Sequence, residues 1–148
     1  MISRRTALTL ALSLPILACA PKEIETLYHG ESAQMRALIR KWAKIHDIPE
    51  SLLHRVIQRE SDYNAAARNG PYWGLMQILP QTARGMGFSG APEDLLNAET
   101  NLEFAGKYLK GAWIVSGGNE DMAVKWYASG YYYEAKRLGL LKETGLRA

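Results

Sequence analysis

Apolar residues recur at three- and four-residue spacing over most of the chain after residue 31, and no stretch alternates apolar with polar residues long enough to build a sizeable sheet. Met35, Leu38, Ile39, Trp42 and Ile45 form one such stripe. Leu52, Leu53, Val56 and Ile57 form a second; Leu102, Ala105, Leu109, Ala112 and Trp113 form a third. The punctuation agrees with helices. Ser32, Asn97 and Asn119 stand where N-caps are needed, and Glu99, Glu120 and Asp121 follow the last two, at the positive end of the helix dipole. Asp47-Ile48-Pro49 separates the first two helices, with proline suited to a first turn. Pro80 opens a short helix closed by Gly85 and Gly87. Gly117-Gly118, Gly130 and Gly139 close later ones, the last helix running from Tyr131 to Leu138. Asn69-Gly70-Pro71 marks a turn, and the run Gly74 to Leu79 reads as either helix or strand. The expected fold is therefore mainly α. At 148 residues, 47% of them hydrophobic, one domain with its own core suffices. A single cysteine excludes an internal disulfide framework and an all-cysteine metal cluster.

The first residues read as an address. Arg4 and Arg5 precede an apolar run from Ala7 to Ala18, too short to span a bilayer comfortably and interrupted by Pro15. Small residues follow. Ile16-Leu17-Ala18-Cys19 is similar to a bacterial lipobox, which makes 1–18 a lipoprotein-type signal peptide and Cys19 an acylated first residue that anchors the chain in a membrane. Leu17 departs from the usual small or β-branched choice. Plain cleavage after Ala18-Cys19-Ala20 is the competing reading, but only the lipobox explains the lone thiol. Ser3-Arg4-Arg5-Thr6-Ala7-Leu8 also resembles a twin-arginine signal. Residues 19–30 are expected to be a tether, and residues 31–148 the folded domain.

Glu60 follows Val56 by four residues and Ile57 by three, at the edge of an apolar helix face. Its charged neighbours Arg59 and Asp62 are expected to point elsewhere. Partial burial raises a carboxyl's pKa, and a glutamic acid still protonated near neutral pH can serve as a general acid. A lone glutamate near a helix end is more often structural, and only its surroundings alter that reading.

Glu60-Ser61 is followed by Tyr63-Asn64, then by Gly74-Leu75-Met76-Gln77-Ile78 with Pro80, Thr82 and Ala83. Asn101-Leu102 with Tyr108-Leu109 comes next, and last the segment Ala123 to Gly130 around Tyr127. In this order and spacing the four motifs resemble those of the soluble lytic transglycosylase (SLT) domain family, relatives of goose-type lysozyme, from about Leu38 to Gly139. The resemblance implies a lysozyme-like compact bundle of about six helices with little or no sheet. It implies that Glu60 is the single catalytic acid, that Gln77 lines a sugar-binding groove, and that Tyr127 contacts the catalytic carboxyl or its substrate. Met76 and the turn at Gly74 would shape the groove, and Ser61 belongs to the catalytic motif. The chain departs from the family in two places. Trp126-Tyr127-Ala128 stands where the family usually has Ala-Tyr-Asn. Arg68-Asn69-Gly70-Pro71-Tyr72-Trp73 replaces a stretch that commonly holds a serine and an Ala-Gly turn. Asn69 is expected to replace that serine's hydrogen bond, and Tyr72 and Trp73 to offer stacking faces to sugar rings.

Most glycosidases flank the scissile bond with two carboxylates. Asp62 lies two residues from Glu60, on another side of the helix, while Glu93, Asp94, Glu120 and Asp121 sit at helix starts. One carboxylate agrees with what the resemblance implies: cleavage of the β-1,4 bond between N-acetylmuramic acid (MurNAc) and N-acetylglucosamine (GlcNAc) in peptidoglycan, the substrate's N-acetyl group assisting, with 1,6-anhydro ends formed. The alternatives are a muramidase using Glu60 and a water, a catalytically silent peptidoglycan-binding scaffold, and the same chemistry serving a secretion or flagellar machine. The implied location is the bacterial cell envelope, periplasmic and lipid-anchored.

No metal or cofactor is expected. His29, His46 and His54 are scattered without ligand partners, with His46 and His54 expected on helix surfaces, and no glycine-rich loop follows a strand. Arg36, Arg40, Lys41 and Lys44 read as a solvated face. The net charge of +3 falls to +1 once Arg4 and Arg5 leave with the signal, so nothing supports a nucleic-acid partner.

Overall fold

The computed structural model describes residues 26–146; the expected signal, Cys19 and most of the expected tether lie outside them. Six helices and one minimal hairpin make up the described chain: α1 (Ala33–His46), α2 (Glu50–Ser61), β1 (Arg68–Asn69), β2 (Tyr72–Trp73), α3 (Pro80–Gly85), a 3-10 turn (Pro92–Leu96), α4 (Ala98–Val115), α5 (Glu120–Ser129) and α6 (Tyr132–Leu138).

The expected caps close the helices they precede. Ser32 Oγ accepts from Met35 N at 3.1 Å, Asn97 Oδ1 from Thr100 N at 3.1 Å, and Asn119 Oδ1 from Met122 N at 3.0 Å. α4 is the axis of the domain. It packs against α5 and α1, with further contacts to α3, α6 and the 3-10 turn, while α2 lies against α1 and α5. Ile39, Leu52, Leu53, Val56, Ile57, Leu102, Ala105 and Leu109 are wholly buried between them. At roughly 1.5–3 kcal/mol for each large apolar side chain, this core is the main source of stability.

Two histidines correct the sequence reading. His46 and His54 are not surface residues; both are buried. His46 donates from Nε2 to the Leu102 carbonyl at 2.9 Å and stacks on Trp42. The ring slots over Gly106, where a Cβ would stand 2.4 Å from it. His54 lies among Tyr28, Tyr63 and Glu31. Each ring satisfies a nitrogen on a buried partner, which makes its burial tolerable. The last residues of the expected tether lie against this second cluster. Tyr28 packs 4.8 Å from the His54 ring, and Arg36 reaches the Thr26 carbonyl.

Candidate functional site

α2 delivers Glu60 to its own C-terminal end, where the chain turns sharply. Asp62 and Tyr63 both take positive φ, 48° and 65°, so the backbone leaves the helix abruptly. Ser61 ties that end to the next element by donating from Oγ to the Leu75 carbonyl at 2.6 Å. Its role in the structure is this tie, behind the carboxyl.

The 74–79 run is neither helix nor strand. It is a series of turns, with an isolated bridge between Trp73 and Ile78. Gly74 sits at φ +74°, and a Cβ there would stand 2.1 Å from the Leu95 carbonyl and 2.3 Å from Asn101 Nδ2. Only glycine fits such a position. Asn101, fully buried on α4, serves the turn with both ends of its amide. Nδ2 donates to the carbonyls of Trp73 (3.0 Å) and Leu95 (2.9 Å), and Oδ1 accepts from Met76 N (2.9 Å). The third sequence motif thus works as a bracket for the second. Within the run the Met76 N–H goes to this side chain, while the Gln77 and Ile78 N–H groups go to the Gly74 and Trp73 carbonyls, so the backbone closes as turns.

Gln77 is held at φ 48°, with Nε2 donating to the carbonyls of Gly74 (2.8 Å) and Ala67 (3.1 Å). Tyr127, on α5, donates its hydroxyl to the Met76 carbonyl at 2.8 Å. Burial pushes that phenol well above its ordinary range, and the nearby Glu60 charge adds to the effect. Tyr127 therefore remains a neutral hydrogen-bond donor.

These constraints open a groove. Arg59, Glu60, Asn69, Tyr72, Gln77, Tyr127 and Ala128 line a cavity of about 340 Å³. It shares Tyr72, Gln77, Tyr127 and Ala128 with a neighbouring cavity of about 260 Å³, which Thr82, Tyr108, Ser129 and Gly130 complete. Glu60 is the one carboxylate among these lining residues. Its side chain is 22% exposed, and burial raises its pKa, opposed by the charge of Arg59. A larger cavity of about 430 Å³, lined by His46, Lys107, Lys110, Glu143 and Thr144 among others, shares no residue with this groove.

The structure thus brings together Glu60, Asn69, Tyr72, Gln77 and Tyr127. It places the other sequence candidates differently. Met76 is fully buried and serves the site through its backbone, between Asn101 and Tyr127. Trp73 corrects an expectation: it is buried, and the Arg68 guanidinium covers its ring 3.8 Å from the centroid, so that face is already occupied. Asn69 corrects another, because its side chain is exposed and makes no hydrogen bond within the described residues. Ala128 leaves a methyl group where an amide was expected of the family. Among the described residues no group of histidine, cysteine, aspartate and glutamate is placed to hold a metal ion.

Sequence reasoning missed Arg59. Adjacent helix residues diverge by about 100°, which argued that it points away from Glu60. Its long side chain folds back instead and brings Nε to 3.6 Å from Glu60 Oε1. Tyr108 was visible only as part of a motif. It lines the groove because Tyr131 grips its carbonyl at 2.8 Å and Tyr127 meets its ring edge-on.

Helices around a groove with a single half-buried glutamic acid define a mainly α, lysozyme-like domain. The model of the family described as Transglycosylase SLT domain matches residues 37–143, and the chain belongs to that family. Its fold also matches the crystal structure of the 70 kDa soluble lytic transglycosylase from Escherichia coli, with a TM-score of 0.60 and 25% identity. The match covers 73% of this chain and 19% of that one, so this chain corresponds to about a fifth of the longer enzyme.

Proposed function

We propose that the protein is a peptidoglycan lytic transglycosylase in which Glu60 acts first as acid and then as base. The observation that carries this reading is a lone carboxylic acid, its pKa raised by burial, in a groove of aromatic and amide side chains that no second carboxylate enters among the described lining residues. A solitary carboxyl suits a substrate that supplies its own assistance.

Glu60 donates its proton to the glycosidic oxygen between MurNAc and GlcNAc, and the bond from that oxygen to the muramic anomeric carbon breaks. The substrate's N-acetyl group stabilises the positive charge on that carbon. The ionised Glu60 then takes the proton of the muramic 6-hydroxyl, whose oxygen bonds to the same carbon. One 1,6-anhydro end and one free 4-hydroxyl result, with no water consumed. Gln77 and Tyr72 support sugar binding through an amide and an exposed ring, and Tyr127 holds the Met76 carbonyl so that the turn keeps its shape.

Digestion of purified peptidoglycan followed by mass spectrometry tests the reading. Anhydro ends are expected. Hydrated reducing ends alone would make it a muramidase, and binding without products a scaffold. We also infer a cell-envelope location with Cys19 as lipid anchor, on the strength of the Ile16-Leu17-Ala18-Cys19 pattern. No helix among the described residues is long and apolar enough to cross a membrane. Mass measurement of the mature chain, with and without Cys19→Ala, tests the anchor.

A further inference from the structure

The arginines of α1 and α2 divide into those with anionic partners and one without a hydrogen bond. Arg36 is held by Glu31, Arg40 by Glu50, and Arg55 by Glu120 and Asp121. Among the described residues Arg59 pairs with Glu60 alone, at 3.6 Å, too far for a hydrogen bond, and its side chain is 51% exposed. It also lines the cavity that contains Glu60. The guanidinium thus belongs to an open groove beside the proposed acid and makes no hydrogen bond of its own among the described residues. The exposed Asn69 side chain lines the same cavity, and its amide makes no hydrogen bond within the described residues. No described carboxylate other than Glu60 lines this cavity to compete for the guanidinium.

A planar fork of donors with no hydrogen-bond acceptor among the described residues fits a carboxylate. The muramic sugar is the half of the substrate that bears an acidic substituent, its lactyl-linked peptide stem, and that same sugar carries the bond Glu60 is proposed to protonate. We propose that Arg59 is the groove's receptor for a free carboxylate on the peptide stem, and so selects stem-bearing strands and sets their register against Glu60. This rests on the lytic transglycosylase reading. Engagement has a second consequence. A stem carboxylate that pairs with Arg59 draws the cation off Glu60, removing the charge that favours the ionised form, so that burial raises the acid's pKa unopposed. Substrate thereby prepares its own proton donor.

The test separates this inference from the reading beneath it. Binding is measured in a Glu60→Gln background, where turnover is removed, to soluble glycan strands whose stem carboxylates are free or capped as methyl amides. Free strands are expected to bind more tightly, and Arg59→Met is expected to reduce the free-to-capped affinity ratio by about tenfold, the effect of one charge-assisted hydrogen bond. Arg59→Lys, which keeps the charge and loses the fork, is expected to fall between. A ratio that Arg59→Met leaves unchanged, or an absent preference in the Arg59 protein, overturns the receptor. Activity of the unmodified chain decides the other question: no product from either strand would overturn the enzyme reading while the affinity ratio still judges Arg59.

Discussion

Two glutamates, Glu31 just before α1 and Glu60 at the end of α2, each lie near an arginine, and their acidities move in opposite directions. Glu31 is fully buried in its side chain, and burial alone would raise its pKa. Hydrogen bonds from Arg36, at 2.6 Å from Nε, and from the Tyr28 N–H, at 3.0 Å, together with the charges of His54 and Arg36, outweigh that and hold it below the ordinary carboxylate value. Glu60 is less buried, yet burial still raises its pKa, because Arg59 at 3.6 Å opposes burial with charge alone and donates no hydrogen bond. Proximity to a cation does not make a carboxylate strongly acidic here. Donated protons do, and the site differs from the structural pair in withholding them.

The largest expected effect breaks this contrast at Glu60. Glu60→Gln keeps the shape and removes the acid, and turnover of peptidoglycan is expected to fall by about 10²- to 10⁴-fold. Stability at pH 7 is expected not to fall, since ionised Glu60 is the disfavoured form in the fold. Chemical denaturation beside a product assay checks both halves.

Glu31→Ala is the opposite case. It leaves the Arg36 guanidinium, only 12% exposed, without its main partner. Breaking a buried pair from one side is expected to cost about 3 kcal/mol in urea unfolding. Activity per folded molecule is expected to survive, because Glu31 lines neither groove cavity.

The pH dependences should run in opposite senses as well. Glu31, with its lowered pKa, contributes stability that is fully present above the ordinary value of 4.5 and is lost as pH falls through its folded value. Replacement by Gln should flatten the acid limb of a stability curve. Glu60, with its raised pKa, contributes below 4.5 and loses that contribution as pH rises through its folded value. The same rise should mark the alkaline fall of kcat/KM, and an activity profile still climbing well above that range would contradict the assignment of Glu60 as the acid.

The smallest effects come from two tyrosines. Tyr63 shares its hydroxyl with His54 Nδ1 at 2.8 Å, and Tyr127 gives its own to Met76. Each Phe substitution is expected to cost about 1 kcal/mol of stability. Only Tyr127→Phe should also lower activity, because the turn it grips carries Gln77. Equal activity in the two variants would erase the functional side of the comparison.

Much of the helical frame was legible in the chain. Ser32, Asn97 and Asn119 cap because their short polar side chains compete for backbone N–H groups, which is a local property. Gly130 and Gly139 stop helices by accepting positive φ, also locally. Glu60's place at the edge of an apolar stripe follows from helical period alone, and so does its partial burial. The site's second half resisted the same approach. Gly74 to Leu79 has no period to read, because its shape comes from Asn101, twenty-two residues beyond Leu79. Trp73 looked like a stacking face, but an arginine five residues earlier covers it across the hairpin.

By itself, then, the sequence determined where helices begin and end, which faces are apolar, and that one glutamic acid stands at the edge of such a face. These depend on neighbours within about four residues, where spacing is set by covalent geometry. Only the tertiary structure decided that His46 and His54 turn inward, that Arg59 folds back beside Glu60 without bonding to it, and that Asn101 holds the turn carrying Gln77. Each of those depends on a side chain's reach and on which partner is already satisfied, and neither is set until the helices pack.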